Sequence, residues 1–191
     1  MKKILLLLMF APAFMLAQEN TEETFKPERT LSVSLGAANT QNIGLQVEAT
    51  SADKIFKLNS SSTVRLTYGV IYKESGIPFT SDFVGQGIVV AIGKKLYFNR
   101  EKWSGFYIQN EAEFASIKFK ENIDGYQFEG TYSYISLISP TVGYKIRMGN
   151  FSIDPMVGFQ WVIEKKGKGV VDNKEFDNTA FKAGLQIGYT F

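Results

Sequence analysis

The sequence predicts an all-β fold, an antiparallel up-and-down transmembrane β-barrel of eight strands. Apolar and polar residues alternate with a period of two from Thr30 to the end of the chain, the pattern of strands with two unlike faces. An apolar N-terminal segment is typical of an export signal. No later apolar run is long enough for a transmembrane helix, and without such helices only a closed barrel crosses a membrane.

The 191 residues divide into three predicted segments. Residues 1–17 have a basic start, an apolar stretch and a plausible cleavage point after Ala17, so we expect a signal peptide. Residues 18–29 are polar and charged, and we expect a flexible periplasmic lead-in. Residues 30–191 are expected to form an outer-membrane β-barrel.

Charge and composition argue against several classes of protein. The signal carries two lysines, so its removal leaves 21 − 2 = 19 Lys and Arg against 19 Asp and Glu. A formally neutral mature chain gives no electrostatic support for a nucleic-acid partner. The chain has no cysteine, so a lipoprotein anchor and a disulfide scaffold are not expected, and no motif predicts a cofactor or a metal site.

Two barrels of opposite orientation fit eight alternating strands. A lipocalin-like carrier keeps its apolar face inside, and a membrane barrel turns that face outward. Glycine favours the membrane barrel, because a residue without a side chain suits a narrow, curved lumen. Every glycine within a predicted strand falls on the polar face: Gly36, Gly44, Gly69, Gly87, Gly93, Gly143, Gly158, Gly184 and Gly188.

Charge and aromatic placement favour the same orientation. The apolar face carries one formal charge, Lys94, whereas the polar face mixes acids and bases, as expected of a lumen crossed by ion pairs. Aromatic residues form two belts, as they do at membrane interfaces. The belt near the short turns contains Phe98, Trp103, Phe106, Tyr144, Phe151, Tyr189 and Phe191, and the belt near the long loops contains Tyr72, Phe119, Tyr132, Trp161 and Phe181.

The connections between strands predict the topology. With both termini periplasmic, long connections face outward and short ones inward, the usual arrangement. Outward connections are expected at about 73–85, 120–130 and 165–178, and inward ones at 99–104 and 149–150. The first strands break this rule, with a short outward turn at 39–41 and a long inward connection at 51–61.

Three irregularities interrupt the alternation. Its phase slips near Ala115, so that Ile117 and Phe119 oppose lysines, and either a bulge or emergence from the bilayer explains this. Pro140 and Pro155 lie within predicted strands, where each removes a hydrogen-bond donor. We expect a bulge or an unpaired site at each proline.

The chain resembles the small eight-stranded outer-membrane barrels of the OmpA/OmpX type over residues 30–191. The matching segments are KKLYFNREKWSGFYI (94–108), GYKIRMGNFSIDPMVGF (143–159) and the terminal KAGLQIGYTF. The resemblance implies a location in the cell outer membrane, in contact with lipid and lipopolysaccharide. The last strand also resembles the signal that the barrel-assembly machinery recognises, with the informative positions at Gly184, Ile187, Tyr189 and Phe191.

The candidate chemistry lies on the polar face. Outer-membrane barrel enzymes resemble one another in needing a catalytic histidine, and this chain has none, so we predict that it is not an enzyme. The nearest candidate for acid–base work is Glu111 with Glu113, two positions apart on one face. We expect structural ion pairs instead, in which these carboxylates face Arg65, Lys145, Arg147 or Lys182 across a lumen filled by polar and charged side chains.

The sequence therefore predicts a non-enzymatic outer-membrane barrel with a structural or surface-interaction role. The alternatives are a secreted small-molecule carrier with an apolar cavity and a narrow passive channel. The outward loops are candidates for binding an extracellular ligand. Five lysines near these loops either bind lipopolysaccharide phosphates or form solvated rim charge: Lys118, Lys120, Lys165, Lys166 and Lys168.

Overall fold

The computed structural model describes residues 27–38, 40–73, 83–99, 102–123, 126–169 and 178–191. The predicted signal peptide and the lead-in up to residue 26 lie outside the described residues. The described part forms β1 (Arg29–Ala37), β2 (Gln41–Ile55), β3 (Leu58–Lys73), β4 (Phe83–Tyr97), β5 (Gly105–Ile123), β6 (Tyr126–Ile138), β7 (Pro140–Met148), β8 (Phe151–Gly169) and β9 (Thr179–Thr190). No helix among these residues is long and apolar enough to cross a membrane.

The strands close into a ring. Around it the order is β4, β3, β2, β1, β9, β8, then β6 and β7, then β5, and β5 pairs with β4. Strands β6 and β7 are two parts of one barrel strand, because both pair with β5 on one side and with β8 on the other. The described residues thus form an antiparallel barrel of eight strands, and the predicted fold class is confirmed.

Arg29 at the start of β1 and Phe191 at the end of the chain lie at one end of the barrel, which we call the turn end. There the Arg29 backbone N–H donates to the Phe191 carbonyl at 3.3 Å. The predicted turn at Gly149 and Asn150 is confirmed at this end, between β7 and β8. We call the opposite end, where β1, β3, β5 and β8 stop, the loop end.

The predicted long connection at 51–61 is wrong. Strand β2 continues to Ile55 and β3 begins at Leu58, which leaves a two-residue turn at the turn end. Phe56 and Lys57 both have positive φ, 51° and 64°. Positive φ at both central positions matches the type I′ hairpin turn, whose twist suits antiparallel strands. The connection between β2 and β3 is therefore short, as the usual rule expects for the end that is predicted to be periplasmic.

The predicted irregularity at Pro140 is confirmed as a break between β6 and β7. The pairing of β6 with β8 also shifts register between Ile135 and Ile138. The side chain of Asn110 on β5 satisfies backbone groups at this break: its amide donates to the Leu137 carbonyl at 3.2 Å and accepts from the Ser139 N–H at 3.0 Å. At Pro155 the register is kept, but the β7–β8 ladder skips the pairs between Gly143↔Met156 and Ile146↔Ile153.

We expect Asn110→Leu to destabilise the barrel even though it makes the outer wall more apolar. Asn110 is exposed on that wall, and leucine would leave the Ser139 N–H and the Leu137 carbonyl without this partner. The loss should be about 1–3 kcal/mol in the free energy of unfolding, measured in urea with lipid vesicles. Ile108→Leu, at the next outward position of β5, should change it little. An Asn110→Leu barrel as stable as the parent would contradict this role.

The outer wall of the barrel is apolar. Large hydrophobic side chains point outward on every strand, for example Val64 at 56% exposure, Leu66 at 57% and Ile88 at 58%. Aromatic pairs ring the turn end, with Phe106 against Tyr144 at 4.6 Å and Phe151 against Tyr189 at 5.2 Å between ring centroids. An apolar exterior of this extent is that of a protein surrounded by lipid.

The predicted bulge in β5 is wrong, and so is the outward orientation of Tyr132. The pairings of β5 with β4 and β6 run without a register shift, so Ile117 and Phe119 simply continue the inward face. Tyr132 and Tyr134 are also buried inside. They face the lumen because the register shift before Ile138 reverses the alternation within β6. Phe119 and Tyr132 are therefore absent from the loop-end aromatic belt.

Candidate functional site

The lumen is filled by three layers of buried side chains. A turn-end cluster contains Glu48, Lys95, Lys145 and Asp154, and a middle cluster contains Arg65, Glu111, Glu113 and Lys182. A loop-end layer is apolar and aromatic: Ile71, Val89, Ala115, Ile117, Phe119, Tyr132, Tyr134 and Val162. The expectation of a lumen filled by polar and charged side chains therefore holds for two layers and is wrong for the third.

In the middle cluster, two cations bracket two carboxylates. Arg65 Nη2 lies 3.0 Å from Glu111 Oε2 and 2.9 Å from Glu113 Oε2. Lys182 Nζ lies 2.5 Å and 3.2 Å from the same two oxygens. Neutral donors complete the coordination of Glu113, since the Tyr134 hydroxyl donates to its Oε1 at 2.6 Å and the Gln160 amide at 2.8 Å.

In the turn-end cluster, as in the middle cluster, two cations pair with two carboxylates. Lys95 Nζ lies 3.2 Å from Glu48 Oε2 and 2.5 Å from Asp154 Oδ2. Lys145 Nζ lies 3.1 Å from the same Glu48 oxygen. Two tyrosine hydroxyls bind the remaining carboxylate oxygens. Tyr97 donates to Glu48 Oε1 at 2.6 Å and Tyr107 donates to Asp154 Oδ1 at 2.5 Å.

The six residues predicted to form ion pairs across the lumen occupy three places. Arg65, Glu111, Glu113 and Lys182 come together in the middle cluster. Lys145 lies in the turn-end cluster, where it pairs with Glu48 and not with Glu111 or Glu113. Arg147 does not enter the lumen: one residue before the end of β7, it pairs with Glu28 at 2.6 Å, and both side chains are about one-third exposed.

Alternation does not predict the cluster of Lys95, Asp154, Tyr97 and Tyr107, because it carries no information on depth along the barrel. Tyr97 breaks the apolar–polar pattern of β4, since its ring is fully buried in the lumen. Aromatic residues at inward positions near buried acids were the missed signal.

The buried charges of the lumen balance. Among the described residues, four acids (Glu48, Glu111, Glu113, Asp154) and four bases (Arg65, Lys95, Lys145, Lys182) are buried, so 4 − 4 = 0. Burying an unpaired charge is costly, whereas ion pairs with further hydrogen bonds offset that cost. The described residues contain no group of three or more acidic side chains placed to hold a metal ion. The eight charged side chains thus fill the interior of the barrel as paired groups.

Close packing inside the lumen requires glycine at position 143. Gly143 of β7 lies opposite Tyr107 of β5, and a Cβ at this position would come 2.2 Å from the Tyr107 hydroxyl oxygen. The absence of a side chain there lets Tyr107 reach Asp154.

We expect Gly143→Val to displace the Tyr107 ring and break its hydrogen bond with Asp154. The free energy of unfolding should fall by about 1–3 kcal/mol in urea titrations with lipid vesicles. Val142→Ile adds bulk at the neighbouring outward position, which is 51% exposed, and should have little effect. Equal stability of the Gly143→Val barrel and the parent would show that the lumen is loosely packed here.

Comparisons with known proteins support the fold. No family model and no curated protein sequence matches the chain. Among solved structures, the chain is similar to a major outer membrane protein from Thermus thermophilus, with 13% identity, a TM-score of 0.60, and coverage of 87% of this chain and 100% of that one. It is also similar to Ail, the attachment invasion locus protein of Yersinia pestis, with 13% identity, a TM-score of 0.50 and the same coverage of both chains.

These similarities and the geometry define the class of protein. The chain has the fold of the small eight-stranded outer-membrane β-barrels, as the resemblance to the OmpA/OmpX type predicted. Its apolar wall and this fold agree with the predicted location in the cell outer membrane.

Proposed function

We propose that this chain is a non-enzymatic, closed outer-membrane barrel with a structural or surface-interaction role. The observation that carries the proposal is the filled lumen, in which eight buried charges balance and an apolar layer follows toward the loop end. An eight-stranded barrel is just wide enough for its own side chains. Each carboxylate of the Glu111–Glu113 pair is bound by two cations, which favours a structural role over acid–base chemistry.

Single-channel recording tests the closed lumen against the narrow channel. Purified protein in a planar bilayer should give no unitary conductance, because the ion pairs and the loop-end layer occupy the cross-section. Heat-denatured protein at the same detergent concentration is the control for detergent leakage. Steps of constant size that appear only with folded protein would overturn the closed barrel.

The carrier alternative makes a different prediction about fractionation. A carrier has a solvated exterior, whereas the outer wall of this barrel is apolar. We expect the protein to stay in the membrane fraction after washing with carbonate or high salt. Release into the wash would support the secreted carrier.

A surface-interaction role would fall to the connections at the loop end, where binding residues are commonly found. Replacing the segments 74–82 and 170–177 with Gly-Ser linkers should leave the barrel inserted and abolish capture of an extracellular ligand in pull-down experiments. If these segments can be replaced without loss of any binding, the role is structural.

We also propose that the last strand is recognised by the barrel-assembly machinery. Ile187, Tyr189 and Phe191 are exposed on the outer wall, at 52%, 45% and 70%, whereas Gly184 lies on the inward face under Met156. The apolar residues are thus accessible at a strand edge before the ring closes.

Deletion of Phe191 should lower the amount of membrane-inserted protein while export through the inner membrane continues. Fractionation with immunodetection measures both quantities, and Phe56→Ser, which removes an exposed apolar side chain at a turn without shortening it, is the control for a general loss of apolar surface. Normal insertion of the chain without Phe191 would contradict recognition.

A further inference from the structure

A patch of lysines lies on the outer wall at the loop end, outside the filled lumen. Lys118 and Lys120 come from β5, and Lys165 and Lys168 come from β8, on either side of Thr131 of β6. All four lysine side chains are exposed. We call these four lysines the wall patch.

A register shift between β6 and β8 assembles the wall patch. Ser133 pairs with Lys165, whereas Thr131 pairs with Lys168, so β8 carries one extra residue over this interval. Because alternate residues of a strand face opposite sides, the extra residue brings Lys168 to the same outward face as Lys165. The Lys168 N–H donates to Thr131 Oγ1 at 3.1 Å, which fixes this register.

Three lysines of the wall patch line a shallow concave site. A hollow of about 400 Å³ is lined by Lys118, Lys120, Glu129, Thr131 and Lys168, with Phe119 and Gly130. Glu129 pairs with Lys120 at 3.3 Å. The four lysines and this glutamate sum to +4 − 1 = +3, next to a lumen whose buried charges cancel. The hollow therefore presents ammonium groups and a hydroxyl to an anionic ligand.

The depth of the wall patch indicates the source of that anion. Toward the turn end, the same three strands become apolar at Phe114, Ile135 and Ile163, which are 44%, 36% and 49% exposed. The lysines thus begin where the lipid-facing wall stops. At such a boundary a lysine stem packs along apolar surface while its ammonium group reaches the lipid head groups.

We propose that the wall patch binds the phosphate groups of an anionic glycolipid head group in the outer leaflet. The charge of the patch is complementary to phosphate, and its continuity with the lipid-facing wall lets the acyl chains of the same molecule pack against Phe114 and Ile163. Binding at this wall is independent of whether the lumen conducts. A conducting barrel would overturn the proposed closed lumen and leave this site in place.

Native mass spectrometry of the full mature chain in mixed micelles tests the site. The probes are lipid A with two phosphates and the same lipid after dephosphorylation. The parent should retain the phosphorylated lipid, and the double variant Lys118→Gln/Lys168→Gln should bind it about 25-fold more weakly, since each lysine near an anionic lipid contributes about fivefold. Lys54→Gln/Lys57→Gln, two exposed lysines at the turn end, should bind it as the parent does.

Other outcomes would overturn the proposal. If the wall-patch variant retains phosphorylated lipid A as well as the parent does, the wall patch is not its binding site. If the turn-end control loses as much binding as the wall-patch variant, the lipid binds through nonspecific charge. Retention of dephosphorylated lipid A as strong as that of the phosphorylated form would exclude phosphate recognition. Displacement of the lipid by equimolar sucrose octasulfate would indicate a soluble saccharide ligand instead. A heat-dependent mobility shift on gels verifies that every variant is folded.

Discussion

Glu48→Ala should lower the free energy of unfolding by about 3–5 kcal/mol, one of the two largest effects that we expect. The substitution removes the carboxylate that pairs with Lys95 and Lys145 and accepts from Tyr97. Lys95 keeps Asp154 as a partner, but Lys145 is left buried and without its carboxylate. Urea unfolding in lipid vesicles, followed by tryptophan fluorescence, measures the change.

Two further variants separate the buried charge from the lost side chain. Adding Lys145→Met to Glu48→Ala removes the stranded ammonium, so part of the lost stability should return, and the double-mutant cycle gives the coupling between the two residues. Glu28→Ala breaks the exposed pair with Arg147 and should change the free energy of unfolding by less than about 1 kcal/mol. If Glu48→Ala also changes the free energy of unfolding by less than about 1 kcal/mol, the turn-end cluster does not stabilise the barrel.

Leu66→Arg should destabilise the inserted barrel by about 2–4 kcal/mol. Leu66 lies near the middle of β3, is 57% exposed on the outer wall and pairs with Leu45 and Val90, which are also outward. A guanidinium at this depth must leave water or deform the bilayer to stay hydrated. The measurement is again urea unfolding in vesicles.

Met148→Arg is the matched control for depth. Met148 is equally outward, at 55% exposure, but it is the last residue of β7 at the turn end. There the cation reaches the head groups, and the cost should be about 0–1 kcal/mol. If Leu66→Arg and Met148→Arg lowered the free energy of unfolding equally, the outer wall would not be embedded in a bilayer with its middle near Leu66.

The alternation of residue types predicts the two faces of most strands because it is a local property. Leu31, Val33 and Leu35 point outward, and Thr30, Ser32 and Ser34 inward, as their order in the sequence indicates. The same counting fails in β6, where one shift of register reverses the phase and puts Tyr132 and Tyr134 in the lumen. A shift of this kind depends on pairing with β8, which no local pattern contains.

Turns and ion pairs also depend on contacts between residues that are distant in the sequence, so local patterns do not predict them. Phe56 and Lys57 form a tight hairpin with positive φ, although neither is a residue type that favours this conformation; the pairing of β2 with β3 overrides local preference. Alternation placed the charged side chains of the lumen on the inward face, but it did not show which of them meet. Glu48 and Lys145 are 97 positions apart and come together only through the closed ring.

The most direct test of an apolar wall in lipid uses spin labels. The chain has no cysteine, so a nitroxide attaches only at an introduced site, here Val64→Cys, Leu66→Cys or Tyr68→Cys in separate proteins. In vesicles, collision rates with oxygen should exceed those with a water-soluble nickel complex at all three outward positions, with the largest ratio at Leu66. Higher collision rates with the nickel complex at these positions would contradict a barrel embedded in the membrane.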